Sequence, residues 1–431
     1  LSNLTWGGCD VVDLAREFGT PLYVLSEDMI RARCREIKSK FLGKWENTGA
    51  YYAGKAFLTT GMARIIESEG LGIDLVSGGE VHTAYKAGFP MERTLLHGSA
   101  KSDAEISEAL KRGVGRIVID NMQEISQIAD IAGSLGVRAR VLIRVATGVE
   151  PNTHKAMRTA KIGGKFGISL VGDNLERAVK LAVSHPQIDL YGFHFHIGSM
   201  VYEPDTHAGS AEIMMKNIKS LKDSLGFETR ELDVGGGFGV AHSPAEKAPD
   251  IAYFTDAIMA KITEDCELFG VARPRVIIEP GRWIVSEAGI TLYSVESVKE
   301  TGPSSGDRAW INVDGGMYDN PRPCLYGAEY SAVIAGKEGE KGTREFAVAG
   351  HCCESGDTLI EAIKLPEPKR GDIMVFYNTG AYTFSMASSY NRMRRPAVVL
   401  VRDGAAEIMV RRQSYDDLLM GDIIPEHLID K

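Results

Sequence analysis

A lysine, an acid–base pair, two histidines and a glycine run carry most of the chemistry open to this chain. Lys55 stands within Tyr51-Tyr-Ala-Gly-Lys-Ala56. An amine closing an apolar run is either a solvated terminus or a functional group able to condense with a carbonyl. Glu279-Pro-Gly-Arg282 sets an acid and a base three residues apart. A buried carboxylate is costly unless paired, so Glu279 serves either a structural ion pair or a ring-nitrogen cation, with Arg282 meeting an anionic group. His194-Phe-His-Ile-Gly-Ser199 places two imidazoles two residues apart, on one face of a strand. That spacing could serve a metal, but no third ligand of matching type lies nearby in sequence. An imidazole stacked on an aromatic cofactor explains it equally well. Gly235-Gly-Gly-Phe-Gly239 follows an apolar strand, and its N–H groups, free of side-chain bulk, either close around a phosphate or make a tight turn.

These residues need elements to position them. Short runs rich in Val, Ile and Tyr predict strands at Ala50–Lys55, Gly72–Val76, Thr94–His97, Arg116–Asp120, Arg140–Val145, Leu190–His196, Glu231–Gly235 and Val276–Glu279. Helical patterns fall between them, as at Thr59–Glu69, Gly79–Ala87 and Ser102–Arg112. Eight strand-plus-helix units with near-continuous apolar strands predict a closed (β/α)8 barrel, an α/β fold, over residues 27–283. After Glu279 the pattern changes to strands separated by turns: Ile290–Val298, Ala309–Asn312, Glu345–Ala349, Ile373–Phe376, Ala397–Arg402 and Ala406–Arg411. A mostly-β domain over 284–431 follows, and the strand-like Pro21–Leu25 within residues 1–26 is expected to cross over and join it.

Active sites of such barrels lie at the C-terminal strand ends. Those ends here carry Lys55, Asp74, His97, Asp120, Arg144, His196, the glycine run, Glu279 and Arg282. A lysine, a phosphate cradle, a carboxylate for a ring nitrogen and a stacking imidazole together describe a site for pyridoxal 5'-phosphate. The lysine would form a Schiff base, and the carboxylate would keep the pyridine nitrogen protonated as an electron sink.

Composition agrees with an enzyme. The 431 residues carry 49 Lys plus Arg against 58 Asp plus Glu, a net charge of −9. Without a basic block, nucleic acid is not the expected partner. No run of about 18 apolar residues offers a membrane span. The start lacks the regions of a signal peptide, and also lacks an initiator Met. Six cysteines without CxxC or zinc-finger spacing predict a reduced, cytoplasmic protein with no metal site.

The ordered motifs resemble the barrel-type pyridoxal-phosphate decarboxylases of basic amino acids, and within them the branch acting on diaminopimelate. They run from Pro21-Leu-Tyr-Val24 to Arg395-Pro396 and include Tyr52-Ala-Gly-Lys-Ala56, Asp74-Leu-Val-Ser-Gly-Gly-Glu80, Cys353-Glu-Ser-Gly-Asp357 and Gly380-Ala-Tyr382. The resemblance implies that Lys55 binds the cofactor covalently, His196 stacks on its ring and Glu279 bonds its nitrogen. It implies that Ser199, Gly236, Gly237, Gly281, Arg282 and Tyr382 hold the phosphate or lie beside it, while Asp74 and Arg144 line the pocket. Cys353 would donate the proton after carbon dioxide leaves, and with Glu354 it would reach the other subunit's site in an obligate homodimer.

The distal end of diaminopimelate is a zwitterion, and cations suited to its carboxylate, ideally a bidentate Arg, must face it. The segment Asp314–Tyr326 is similar to the family stretch supplying an arginine and a tyrosine there, which would be Arg322 and Tyr326, joined by Arg282, Glu354 and Tyr382. Ornithine-type relatives carry an aspartate after the cysteine, where this chain has Glu354. Decarboxylases of ornithine, lysine or carboxynorspermidine are the alternative. A racemase is expected to place an arginine at the ring nitrogen, against Glu279. Two departures stand out: Gly350-His-Cys352, which sets a second thiol beside Cys353, and Cys324.

Overall fold

Strands buried on both faces need apolar residues throughout, and the short Val- and Ile-rich runs between residues 48 and 278 supply them. The computed structural model describes residues 4–149, 163–300, 309–342 and 344–429. The chain divides into two units, one of Met29–Ala241 with Glu246–Val285, the other of Leu1–Asp28, His242–Ala245 and Ser286–Lys431.

Strand β1 is Leu22–Ser26. In the first unit come eight parallel strands: β2 Thr48–Ala53, β3 Gly72–Leu75, β4 Thr94–Leu96, β5 Arg116–Ile119, β6 Ala139–Ala146, β7 Ile188–His194, β8 Glu231–Asp233 and β9 Arg275–Ile278. They pair in the order β7-β8-β9-β2-β3-β4-β5-β6, and β6 pairs back to β7, which closes the barrel. The predicted eight-stranded barrel is thus present, with ends displaced by one or two residues. The displacement matters at Lys55, which lies in a 3-10 turn, Gly54–Ala56, just after β2.

Helices α1 Thr60–Ser68, α2 Gly78–Lys86, α3 Asp103–Lys111, α4 Met122–Leu135, α5 Asn174–Ser184, α6 Pro204–Leu225 and α7 Ile251–Phe269 fill the crossovers. Their limits are chemical. Thr59, Ser77, Ser102 and Asn121 each accept a backbone N–H of the first turn, satisfying an orphan donor. Gly136, Gly226 and Gly270 end α4, α6 and α7 in the left-handed conformation, which a residue without Cβ adopts cheaply. Among the described residues no helix is long and apolar enough to cross a membrane.

The second unit is mostly β. Its strands are β10 Gly289–Glu300, β11 Ala309–Val313, β12 Ala332–Ile334, β13 Arg344–Ala349, β14 Thr358–Leu365, β15 Ile373–Phe376, β16 Ala397–Arg402 and β17 Ala405–Val410. The main path runs β14-β13-β11-β10-β1-β16-β17. Strand β1 is therefore internal, antiparallel to β10 and parallel to β16, and all five of its residues are buried. Tyr23 donates to the Asp319 carbonyl at 2.6 Å, and Tyr293 on β10 bonds the Asp319 carboxyl. Strands β12 and β14 were not evident in the sequence. The first is three residues long, and register shifts where β14 pairs β13 break the period-2 signal that marks a strand.

One buried pair ties the loop after β4 to strand β5 and helix α4. Lys101 donates to the carbonyls of Gly98 and Val118 at 2.7 and 2.8 Å, and its ammonium lies 2.9 Å from Glu124, with both side chains only 2% exposed. Burial pushes Lys101 below and Glu124 above their ordinary ranges despite the pairing. Lys101→Met should therefore cost about 3–5 kcal/mol in urea unfolding by leaving Glu124 uncompensated. Lys101→Met with Glu124→Leu should recover much of that loss, and a double variant no more stable than the single would contradict it.

Candidate active site

Barrel closure brings distant positions to one mouth. Arg144 on β6, His194 on β7 and Asp233 on β8 are in register, so their side chains point to the same side of the sheet. Asp74 lies on β3, His97 just beyond β4, His196 just beyond β7 and Glu279 just beyond β9. At the centre, Glu279 accepts from His97 Nε2 at 2.6 Å on one oxygen and from His194 Nε2 at 3.2 Å on the other. The two imidazoles meet edge-on at 4.6 Å. His97 Nε2 is also 3.6 Å from Asp74, and Lys55 Nζ approaches Asp74 at 3.9 Å.

The electrostatics follow from this packing. Burial raises the Glu279 pKa, but the two imidazole donors outweigh it and hold the carboxylate well below its usual range. Burial drives His194 down to about 3, so its ring is neutral and donates through Nε2. Asp233 goes the other way: burial, then the charge of Glu279, pushes it well up, and it is held as the acid. Arg144 is fully desolvated, attracted by Asp120, Glu279 and Asp74, and its guanidinium lies 4.3 Å over the Phe166 ring. His97, His194 and Glu279 present ligand atoms within 4.8 Å of one another. His196 is not part of this group, so the His194–His196 pair suggested by spacing is not completed as a ligand set, and His97 and His194 are instead each bonded to Glu279.

The glycine run lies beside this cluster. Gly236 N–H donates to His196 Nδ1 at 3.3 Å, and burial holds that imidazole well below its usual pKa, so the proton sits on Nε2. A Cβ on Gly236 would come within 2.0 Å of the Glu279 carbonyl, and one on Gly237 (φ +89°) within 1.9 Å of the Gly198 carbonyl. Only bare backbone fits there. Among the described residues neither the Gly237 nor the Phe238 N–H meets an acceptor. Arg282 Nε donates to Ser199 Oγ at 3.2 Å, and Gly281 accepts the Ile284 N–H in the short helix Arg282–Val285.

The other nominated residues belong to the β unit. Arg322 begins the short helix Arg322–Tyr326 and is buried, its guanidinium 5.5 Å from the Tyr326 ring and 5.7 Å from the Tyr382 ring. Cys353 is exposed, its N–H bonded to Asn391 at 2.8 Å. The neighbouring Cys352 is buried and its thiol is pushed up to about 12, first by burial and then by Asp357. Glu354, on the surface, accepts from Tyr390 at 3.4 Å. Cys324 is exposed and donates to the Gly356 carbonyl at 2.7 Å.

Three residues of the mouth escaped a functional reading of the sequence. His97 was visible as a strand-end residue, but its bond to Glu279 spans 182 positions. Asp233 read as an interior strand residue before the glycine run. His207, inside α6, gave no signal; it is fully buried and donates to the Gly236 carbonyl at 2.9 Å.

The residues fit pyridoxal phosphate. An anionic carboxylate with lone pairs beyond its two imidazole donors suits a ring-nitrogen cation, a lysine amine stands nearby, and two unbonded N–H groups lie in a loop with no room for side chains, a cradle suited to phosphate. Comparisons with known proteins agree. Residues 27–286 match the family model described as pyridoxal-dependent decarboxylase, pyridoxal binding domain. The chain is 41% identical to a diaminopimelate decarboxylase of Bacillus subtilis over 421 residues, covering 98% of this chain and 95% of that one. Among solved structures it is similar to diaminopimelate decarboxylase from M. jannaschii in complex with L-lysine, with TM-score 0.90, 30% identity and 99% of each chain covered. The Helicobacter pylori diaminopimelate decarboxylase complexed with L-lysine gives TM-score 0.84 at 29% identity, over 95% of this chain and 98% of that one.

Burial holds the His207 imidazole down to about 4, against about 6.5 in an unfolded chain. Between these values the unfolded state binds a proton that the folded state does not, so the stabilising contribution is full above about pH 6.5 and is lost as pH falls. Urea unfolding of apo-protein from pH 7 to pH 4.5 should show a slope with pH that His207→Gln lowers by about 1.4 kcal/mol per unit. Equal slopes in both proteins would contradict a neutral, buried imidazole.

Proposed function

The chain belongs to the pyridoxal-dependent decarboxylases, and from that premise we propose that it removes one carboxylate from meso-2,6-diaminopimelate to give L-lysine and carbon dioxide, the last step of lysine biosynthesis. The observation that carries this reading is Glu279, held anionic by two imidazoles at the mouth of the barrel beside Lys55. Bound pyridoxal 5'-phosphate supplies an aldehyde that condenses with amines and a ring that accepts the electron pair left when carbon dioxide departs.

The chain's own residues do the rest. Lys55 would hold the cofactor through its amine. Glu279 keeps a proton on the ring nitrogen, which a neutral acid in its place could not do. His196 would lie against the cofactor ring, and Asp74 and Arg144 would line the pocket. Ser199, Gly236, Gly237, Gly281, Arg282 and Tyr382 take the phosphate or stand beside it. Cys353 delivers a proton to the carbon that has lost its carboxylate; its exposed thiol, beside a Cys352 that burial keeps from ionising, supports that choice.

Substrate choice rests on the far end of the molecule. Arg322 and Arg282 suit the distal carboxylate, while Glu354 suits the distal ammonium, with Tyr326 and Tyr382 beside them. Binding at this remote end would orient the substrate for loss of its carboxylate. Such a set is superfluous for ornithine or lysine, whose far ends are bare ammonium groups. The protein works as a cytoplasmic homodimer in which Cys353 and Glu354 of each copy serve the other copy's site.

Carbon dioxide release from meso-diaminopimelate, beside equal lysine, ornithine and arginine, tests the substrate. Strong preference for diaminopimelate is expected; release mainly from ornithine or lysine would overturn the roles of Arg322 and Glu354. Glu279→Ala should lower kcat by at least about 10²-fold with KM little changed, and an unchanged kcat would sink its role at the ring nitrogen. Mixing inactive Lys55→Ala and Cys353→Ala proteins tests the shared sites. Random re-pairing gives half hybrids, each with one intact site, so activity should return to about a quarter of wild type. No recovery after subunit exchange has been verified would remove the shared-site assignment.

A further inference from the structure

His207 has no part in the chemistry assigned above, yet it sits directly behind the glycine run. It occupies the first turn of α6 with none of its surface exposed. Its ring stacks on Phe238 at 5.0 Å and 28° and meets Phe254 edge-on at 6.3 Å, while Phe238 and Phe254 lie 5.2 Å apart. This aromatic seat fixes the plane of the imidazole. Nε2 then lies 2.9 Å from the Gly236 carbonyl, while Nδ1 is buried without a hydrogen-bond partner among the described residues. A carbonyl only accepts, so the proton is on Nε2.

The geometry of one peptide unit gives this bond its consequence. The Gly236 carbonyl and the Gly237 N–H belong to the same planar trans amide and point in opposite directions. Two glycines flank that amide, so its own backbone torsions restrain it little. The neighbouring contacts restrain other groups: Gly236 N–H goes to His196, and the Gly237 carbonyl accepts from Val201 N–H at 2.9 Å. Within the 236–237 unit, only the carbonyl is held among the described residues. Drawing it toward α6 turns the Gly237 N–H away from α6, where it meets no acceptor among the described residues.

We propose that His207 is a positioning residue for the phosphate of the cofactor: its Nε2–H grips the Gly236 carbonyl and so aims the Gly237 N–H at a phosphate oxygen. This rests on the assignment of the glycine run to the phosphate. His207 acts on how tightly the phosphate ester is held and leaves recognition of the pyridine ring to Glu279 and His196.

The test is a titration of apo-protein with pyridoxal 5'-phosphate and, separately, with pyridoxal, which lacks the phosphate, followed by absorbance and fluorescence. His207→Phe keeps the aromatic stack and removes the donor; His207→Gln keeps a donor. The phenylalanine variant should bind the phosphate ester about tenfold more weakly while its affinity for pyridoxal stays within about twofold, and the glutamine variant should regain most of the difference. Equal weakening toward both ligands, or none toward either, would overturn the role of His207 alone. Wild-type protein that fails to prefer the phosphate ester would bring down the phosphate assignment and this inference with it. Should His207→Phe not fold, ¹⁵N-glycine-labelled wild-type apo-protein answers the same question. Inorganic phosphate should shift the Gly237 amide resonance, and an unmoved Gly237 signal would overturn the proposal.

Discussion

A single buried carboxylate sets the terms for the barrel mouth. Glu279 is fully desolvated, and an isolated charge there would be protonated rather than tolerated. Two imidazole N–H donors from β4 and β7 keep it ionised. His194 is itself kept neutral by its burial and so donates through Nε2. Asp233, in register beside His194, then takes up a proton rather than add a further negative charge. Lys55 and Arg144 supply the positive side of the balance. Remove the imidazoles and the carboxylate would become an acid like Asp233, unable to hold a proton on anything else.

The arrangement also explains why the loops there are so constrained. The carbonyl of Glu279 comes so close to Gly236 that a Cβ would sit 2.0 Å away. Glu279 is thus part of the wall against which the glycine run packs. His196 links the two from the other side by accepting the Gly236 N–H. The buried carboxylate's residue, His196 and the glycine run are therefore in mutual contact, and none can shift without moving the others.

Much of this was legible in the sequence because it is local. Strand identity came from short apolar runs, and strand ends named Lys55, His196, Glu279 and the glycine run as places to look. The ordered motifs nominated Cys353, Glu354, Arg322 and Tyr382, all of which lie in the β unit. What the sequence withheld were partnerships across the closed barrel. Nothing local says that His97 donates to Glu279, that Asp233 is an acid, or that a helix residue such as His207 reaches a loop 29 positions away. Strands β12 and β14 stayed hidden for a different reason: one is too short for a period, and the other loses its alternation where its register shifts. The Lys55 boundary moved because a 3-10 turn, not a strand, carries the amine.

The internal place of β1 in the second sheet has a consequence for how the protein is made. Leu22–Ser26 leaves the ribosome well before its neighbours β10 and β16, which are translated about 260 and about 370 residues later. At roughly 5–20 residues per second, that delay is on the order of tens of seconds. Throughout it, an apolar strand with two unsatisfied edges trails from a barrel that can already close. Its protection in that interval must come from outside the finished sheet. A nascent chain released early would keep the strand exposed for good, marking it for quality control before any activity could be missed.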